Sequence, residues 1–133
     1  MKSAQNRAVK IMKFIPYGSY DMNPVYNEIE ILQMEKIYKL EVGKFMYKFS
    51  NHLLPENFEE YFKHVSTIHN YNTRMAENNC MYPIRAKSKF IKKTLKYKGV
   101  EVWNSLPNAI KQLPSVKSFS KQLKSFFFDP DQQ

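Results

Sequence analysis

The sequence predicts a single, mainly α-helical domain. Apolar residues recur at intervals of three and four in several segments, which is the pattern of amphipathic helices. Only three glycines occur among 133 residues, which argues against a turn-rich all-β fold. Ten Phe, nine Tyr and one Trp exclude the composition of a disordered chain. We expect about five to seven helices in residues 1–133, room for one small β-hairpin in residues 82–97, and a tail at residues 128–133.

The first helix is predicted around an apolar stripe with helical spacing. The stripe consists of Ala8, Ile11, Met12 and Ile15. We expect it to face the core. The bases Arg7, Lys10 and Lys13 lie off this stripe, so contact with a membrane surface or a role as a transit peptide is the weaker alternative. A second helix begins at Asn23-Pro24, with Asn as the cap and Pro in the first turn, and reaches about Ile31.

The longest helix is predicted from about Met34 to Asn51. One face carries Tyr38, Val42, Phe45, Phe49 and Leu53, spaced by three or four residues. Gly43 lies inside this helix, where a small residue lets a neighbouring helix approach closely. A further helix begins at Pro55, with Glu56, Glu59 and Glu60 in the early turns that favour acids.

The second half of the chain alternates between loop and helix signals. Residues 66–83 are rich in Asn and predict loop, and residues 89–97 alternate imperfectly, as an edge strand of the hairpin would. A short helix around Trp103 ends at Pro107, and Ser115 caps the last helix. Together with the long helix, these segments supply the predicted core: Tyr38, Val42, Phe45, Phe49, Phe58, Phe62, Trp103, Leu106, Phe119 and Leu123.

Charge is divided unevenly along the domain. Residues 21–62 form an acidic part with eight acids and four bases, whereas residues 63–127 form a basic part with thirteen bases and two acids. Between Asn78 and Val100 there are seven bases and no acid, interleaved with the rings of Tyr82, Phe90 and Tyr97. Such a surface favours a polyanionic partner with exposed bases. The alternatives are a solvated face and lysines that protect an edge strand.

A second candidate segment runs from Ile68 to Arg74. It combines a ring, amides, a hydroxyl and a guanidinium, which can stack on bases and bind phosphates. The alternative is a structured loop in which Arg74 pairs with a helix C-terminus or an acid. The candidate nucleic-acid-binding residues are therefore Tyr71, Arg74, Arg85, Lys87, Lys89, Lys92, Lys93, Lys96, Tyr97 and Lys98.

Signals for catalysis, metals and membranes are lacking. A single Cys80 excludes an internal disulfide and a cysteine-based zinc site. No aspartates are paired, although two-metal nucleotidyl transfer requires clustered carboxylates. Phosphate-binding glycine loops and hydrolase motifs are absent as well. We expect no catalytic residue, no metal, no cofactor and no membrane partner, and a location in the nucleus or cytoplasm.

Several phrases resemble one family when they are taken in order. They are residues 5–12 (QNRAVKIM), 37–40 (IYKL) leading to 43–49 (GKFMYKF), 53–55 (LLP), 69–74 (HNYNTR), 97–99 (YKG) and 103–107 (WNSLP). In this order they resemble the C-terminal segment of non-LTR (LINE, jockey-like) retrotransposon reverse transcriptases. The likeness covers residues 4–127.

The resemblance implies a helical region beyond the polymerase thumb that contacts RNA or DNA, with the rest of a reverse transcriptase as a further partner. The family's paired catalytic aspartates are missing, so it implies a truncated, noncatalytic fragment. The alternative function is a structural or self-association module, in which the acidic part docks on the basic part of the same chain or of a second copy. The sequence leaves open RNA versus DNA, sequence specificity, oligomeric state and folding in isolation.

Overall fold

The computed structural model describes residues 2–68, 71 and 73–128, with side chains from residue 4. Within these ranges the chain forms α1 (Lys2–Met12), α2 (Asn23–Glu28), α3 (Met34–Ser50), α4 (Val65–Ile68), α5 (Arg74–Glu77), α6 (Leu95–Ser105), α7 (Asn108–Lys111) and α8 (Val116–Phe128), with 3₁₀ turns at Glu56–Phe58 and Ile91–Lys93. The mainly α class is confirmed. The eight helices of the described ranges exceed the expected number because α4 and α5 lie in the segment predicted as loop.

Helix α3 is the centre of the fold, with α6 and α8 packed against it. Two glycines permit this close packing. A Cβ on Gly43 of α3 would lie 2.6 Å from Cδ2 of Leu123 in α8, and a Cβ on Gly99 of α6 would lie 2.7 Å from Sδ of Met46 in α3. The close approach predicted at Gly43 is therefore present, and Gly99 permits an equivalent approach by α6.

The main core lies among these three helices, and most of the predicted core residues belong to it. Those that are buried are Val42, Phe49, Phe62, Trp103, Leu106, Phe119 and Leu123, while Phe45 and Phe58 pack against them half-buried. Tyr38 is 47% exposed, so its assignment to the core was wrong. The buried face of α3 is centred on Leu40, Gly43 and Tyr47, and Tyr38 lies beyond its edge. The ring of Tyr47 stacks on Phe119 and its hydroxyl donates to the Leu113 carbonyl.

Helix α1 is oriented opposite to the prediction. Ile11 and Met12 are 70% and 65% exposed, whereas Val9 on the other side is buried against α2. Polar side chains fix this orientation. Gln5 donates to the Leu32 carbonyl at 3.0 Å and accepts from the Met34 amide at 2.7 Å. These long-range hydrogen bonds dock the polar side of α1, so Ala8, Ile11 and Met12 of its apolar stripe face outward. Ile15, just beyond the helix, is half-buried and packs against the cluster that contains Val9.

The hairpin allowed for in residues 82–97 is absent, because the described ranges contain no strand. A single antiparallel bridge joins His64 and Met81. Residues 82–87 have no regular secondary structure, and exposure alternates only from Ile84, which is half-buried, to Lys87, which is exposed. The chain then coils into the Ile91–Lys93 turn. The helix predicted at Pro55 is likewise reduced to the turn Glu56–Phe58.

Candidate nucleic-acid interface

We define the basic segment as residues 85–98, and the structure anchors it at both ends. Just before it, the Asn104 side chain binds both backbone groups of Met81. At its far end, Thr94 caps α6 by accepting from the Tyr97 amide at 3.4 Å. A capping hydroxyl satisfies an amide that the first helical turn leaves unpaired. The basic segment is therefore fixed at its ends by hydrogen bonds to the backbone.

The loop that leads to the basic segment is held by side chains of α6 and α7. The consecutive carbonyls of Glu77, Asn78 and Asn79 accept from Asn108 Nδ2 (3.4 Å), Lys111 Nζ (2.9 Å) and Trp103 Nε1 (2.8 Å), respectively. These carbonyls end α5, where cations and donors are favoured. The Trp103-Asn104 pair of the WNSLP phrase thus acts as scaffold for the interface.

Lys111 is buried, and its ammonium lies 3.7 Å from the Cys80 sulfur and over the Trp103 ring at 5.6 Å. Burial lowers the pKa of Lys111, while the neighbouring Cys80 acts in the opposite direction. Its hydrogen bond to the Asn78 carbonyl gives Lys111 a structural role, because it stabilises the chain at the end of α5.

The candidate bases are mostly exposed and unpaired. Arg74, Arg85, Lys87, Lys89, Lys92, Lys93 and Lys96 are exposed, whereas Lys98 is half-buried. In the ranges that the structure describes, ion pairs join Lys13 to Glu28, Lys44 to Glu41 and Lys98 to Glu101. Among the described residues, Lys98 is thus the one base of the basic segment with a carboxylate partner, at 2.5 Å. No acid of residues 21–62 pairs with this segment, so no ion pair of the described residues compensates the charge of its other bases.

The rings near these bases differ in exposure. Phe90 is 78% exposed and lies directly before the Ile91–Lys93 turn, whereas Tyr97 is half-buried. The candidate residues therefore omitted the more exposed ring of the segment. The available signal was the position of Phe90 within the run of lysines. Lys96 Nζ lies 5.2 Å from the centre of the Tyr61 ring, a cation–π contact.

Tyr71 and Arg74 form a separate group of candidates. Tyr71 is 81% exposed, and Arg74 is the first residue of α5, which Thr73 caps through the Ala76 amide at 3.3 Å. Among the described residues, no hydrogen bond or ion pair joins Arg74 to the basic segment. His69, Asn70 and Asn72 of the same phrase lie outside the described residues.

Two clefts lie near the end of α3. A cleft of about 420 Å³ is polar and is lined by Ser50, Asn51, Lys111 and neighbouring residues. The other, of about 560 Å³, is lined by Phe49, Phe58, Phe62 and further residues. His64 borders both, and burial, followed by the charge of His52, lowers its pKa.

The described ranges contain no group of three or more His, Cys, Asp or Glu residues that could hold a metal ion. None of the helices in these ranges has the length and apolar character required to cross a bilayer.

Comparisons with protein-family models, curated proteins and solved structures gave no match to this chain.

Proposed function

We propose that this chain is a noncatalytic nucleic-acid-binding helical module whose basic segment contacts the phosphate backbone. One observation carries the proposal. Of the seven bases in residues 85–98, Lys98 alone has a carboxylate partner among the described residues, and the other six are exposed. A nucleic acid that neutralises these bases releases its condensed counterions, which supplies most of the free energy of nonspecific binding.

The shape of the basic segment favours a single strand. Arg85 and Lys87 lie two residues apart in a stretch without regular secondary structure, and both are exposed, whereas Ile84 and Ala86 are half-buried. Phe90 follows with most of its ring in solvent. Exposed rings beside a cationic track are the arrangement on which unpaired bases stack. Single-stranded RNA or DNA is therefore the expected ligand.

We further propose that the module derives from the post-thumb C-terminal part of a non-LTR reverse transcriptase, truncated and without the polymerase site. The ordered phrases support this parentage. Residues within these phrases also have identifiable structural roles. Gln5 binds α1 to the start of α3, Gly43 allows α8 to pack closely on α3, and Asn104 binds the backbone before the basic segment. The rest of such a polymerase would be a further partner.

Fluorescence anisotropy with a labelled RNA, a single-stranded DNA and a duplex, each titrated from 50 to 200 mM salt, tests the proposal. If six phosphates are neutralised, log K falls against log salt with a slope of about −4 for a single strand and about −5 for a duplex. Lys89→Gln/Lys92→Gln/Lys93→Gln should make the single-strand slope shallower by about 2. The matched control is Lys48→Gln/Lys117→Gln/Lys121→Gln, which has the same net charge and changes exposed lysines elsewhere.

Each outcome has a definite meaning. A larger loss of affinity and slope in the basic-segment variant than in the control supports the proposal. Equal losses of affinity in the two variants would mean that binding depends on the net charge of the protein and not on the basic segment. A flat salt dependence would mean that no phosphates are neutralised. Salt-sensitive self-association without affinity for nucleic acid would instead favour the structural module.

A further inference from the structure

The outward side of α1 is an apolar surface that nothing in the described structure covers. We define the α1 stripe as Ala8, Ile11, Met12 and Phe14. Ile11 and Met12 are 70% and 65% exposed, and Phe14, just beyond the helix, is 94% exposed. Ala8, Ile11 and Met12 share one side of α1 because residues three and four apart lie on one helical face. A contiguous apolar surface of this kind marks an interaction site on a protein.

A groove of complementary character lies at the other end of α3. We define the aromatic groove as the 560 Å³ cleft lined by Phe49, Phe58, Phe62 and Ile68 among others. Its volume lies within the range of about 300–1,000 Å³ that is typical of ligand-binding clefts. Edge-to-face contacts between Phe49 and Phe62 (5.0 Å between ring centres) hold its wall in place. The groove is therefore formed before any partner arrives.

The α1 stripe cannot reach the aromatic groove of its own chain. Gln5 ties α1 to Met34 at the start of α3, whereas the groove begins at Phe49. Fifteen helical residues separate these points, which corresponds to about 22 Å. Phe14 is almost completely exposed, so its ring does not occupy the groove. Only a second molecule can bring the two surfaces together.

We infer that the α1 stripe of one copy docks in the aromatic groove of a second copy. The charges around the two surfaces are complementary. Beside the stripe, Arg7 is exposed and Lys10 is half-buried, whereas Lys13 is already paired with Glu28 of α2. The groove is lined by Glu59 and Glu60 against Lys63, with His52 and His64 beside them. Opposite charges of this kind favour encounter and set orientation.

Pairing of two α1 stripes is the less favourable arrangement, because it would bring the exposed Arg7 of each copy together. Contact between two different surfaces is head-to-tail and continues into larger assemblies unless the rotation closes a ring. The inference therefore predicts association beyond the dimer. It is independent of nucleic-acid binding, because neither surface includes the basic segment.

Two variants and their mixture test this contact by sedimentation velocity. Ile11→Glu/Phe14→Asp removes the α1 stripe and leaves the groove intact, and Glu60→Lys/Ile68→Lys alters the groove and leaves the stripe intact. The exposure of these four positions makes loss of the fold unexpected, and circular dichroism of each variant checks this. Met75→Glu, at an exposed apolar position of α5 that lies on neither surface, is the control.

We expect the wild-type protein and the control to associate beyond the dimer as concentration rises, and less so in high salt. Each double variant alone should sediment as a monomer, and an equimolar mixture should form a one-to-one heterodimer that grows no further. A wild-type protein that stays monomeric up to 200 µM, or a mixture that stays monomeric, would overturn the inference. A wild-type protein that stops at a dimer would also overturn it, since it would indicate pairing of identical surfaces.

Discussion

The side-chain amide of Asn104 binds both backbone groups of Met81. Its Oδ1 accepts from the Met81 amide at 2.8 Å, and its Nδ2 donates to the Met81 carbonyl at 2.9 Å. Met81 itself is fully buried in the core. One side chain of α6 thus fixes the backbone immediately before the irregular stretch that carries Arg85. The position of the candidate interface depends on this pair.

Asn104→Ala should lower the free energy of unfolding by about 2–3 kcal/mol, because it leaves a partly buried amide and carbonyl of Met81 unpaired. Urea unfolding followed by circular dichroism measures the effect. Asn27→Ala, at an exposed position of α2, serves as control and should change stability by less than about 0.5 kcal/mol. Equal stability of the two variants would mean that the hydrogen bonds between Asn104 and Met81 contribute nothing to the free energy of unfolding.

Gly99→Ala should destabilise the protein by up to about 2 kcal/mol. The added Cβ would lie 2.7 Å from Sδ of Met46 and 3.2 Å from Cζ of Phe62, and overpacking of this kind costs about 1–3 kcal/mol. The gain in helix propensity offsets about 1 kcal/mol of this cost. Thermal or urea unfolding gives the answer, with Gly18→Ala, which has nothing within 4 Å, as control. A stabilised Gly99→Ala protein would contradict the packing of α6 on α3.

Stability should fall as the pH decreases below about 6.5, in part through His64. Burial, followed by the charge of His52, lowers the pKa of His64 in the folded protein. Between that lowered pKa and the ordinary value near 6.5, the unfolded chain binds more protons, so acid favours unfolding. Urea midpoints at several pH values between 5 and 8 should therefore depend less on pH in His64→Gln than in the wild type.

Nuclear magnetic resonance titration of the His64 ring provides the direct check, and His52→Gln should raise its pKa towards the ordinary value. An unshifted His64 pKa in the wild-type protein would rule out the burial on which this pH dependence rests.

Phe90→Ala should weaken binding of single-stranded nucleic acid by about 1–3 kcal/mol, the usual contribution of one base stacked on a ring. Because Phe90 is 78% exposed, unfolding should be nearly unchanged. Anisotropy with a single strand and with a duplex measures the change, which should be smaller for the duplex, whose bases are already stacked. Phe14→Ala, another exposed ring, is the control and should bind normally. Equal affinities of both variants would exclude Phe90 from the interface.

Local signals in the sequence predicted much of the fold. The helical spacing around Phe45 and Trp103 correctly indicated α3 and α6, since these helices bury wide faces. Gly43 marked a close contact because a glycine inside a helix is costly without a packing role. The run of bases indicated the candidate interface, because the charge of each side chain follows directly from its residue type.

Orientation could not be predicted in the same way. The stripe on α1 suggested an inward face, but the hydrogen bonds of Gln5 to Leu32 and Met34 decide how the helix docks, and no periodicity encodes such distant partners. Residues 84–87 do alternate in exposure, yet a strand requires a neighbour with which to pair, and the described chain supplies none. The exposure of Phe90 likewise depends on a turn that the sequence pattern does not specify.

The hydrogen bonds from α6 and α7 to the loop before the basic segment determine which positions tolerate amino-acid replacement. The side chains of Trp103, Asn108 and Lys111 donate hydrogen bonds to the main-chain carbonyls of Asn79, Glu77 and Asn78, and every residue type possesses such a carbonyl. These bonds therefore constrain the identity of the three donor residues but not that of Glu77 or Asn78. Homologous chains should accordingly vary more at positions 77 and 78 than at the donor positions, whereas Asn79, with a φ of 49°, is constrained by its backbone conformation.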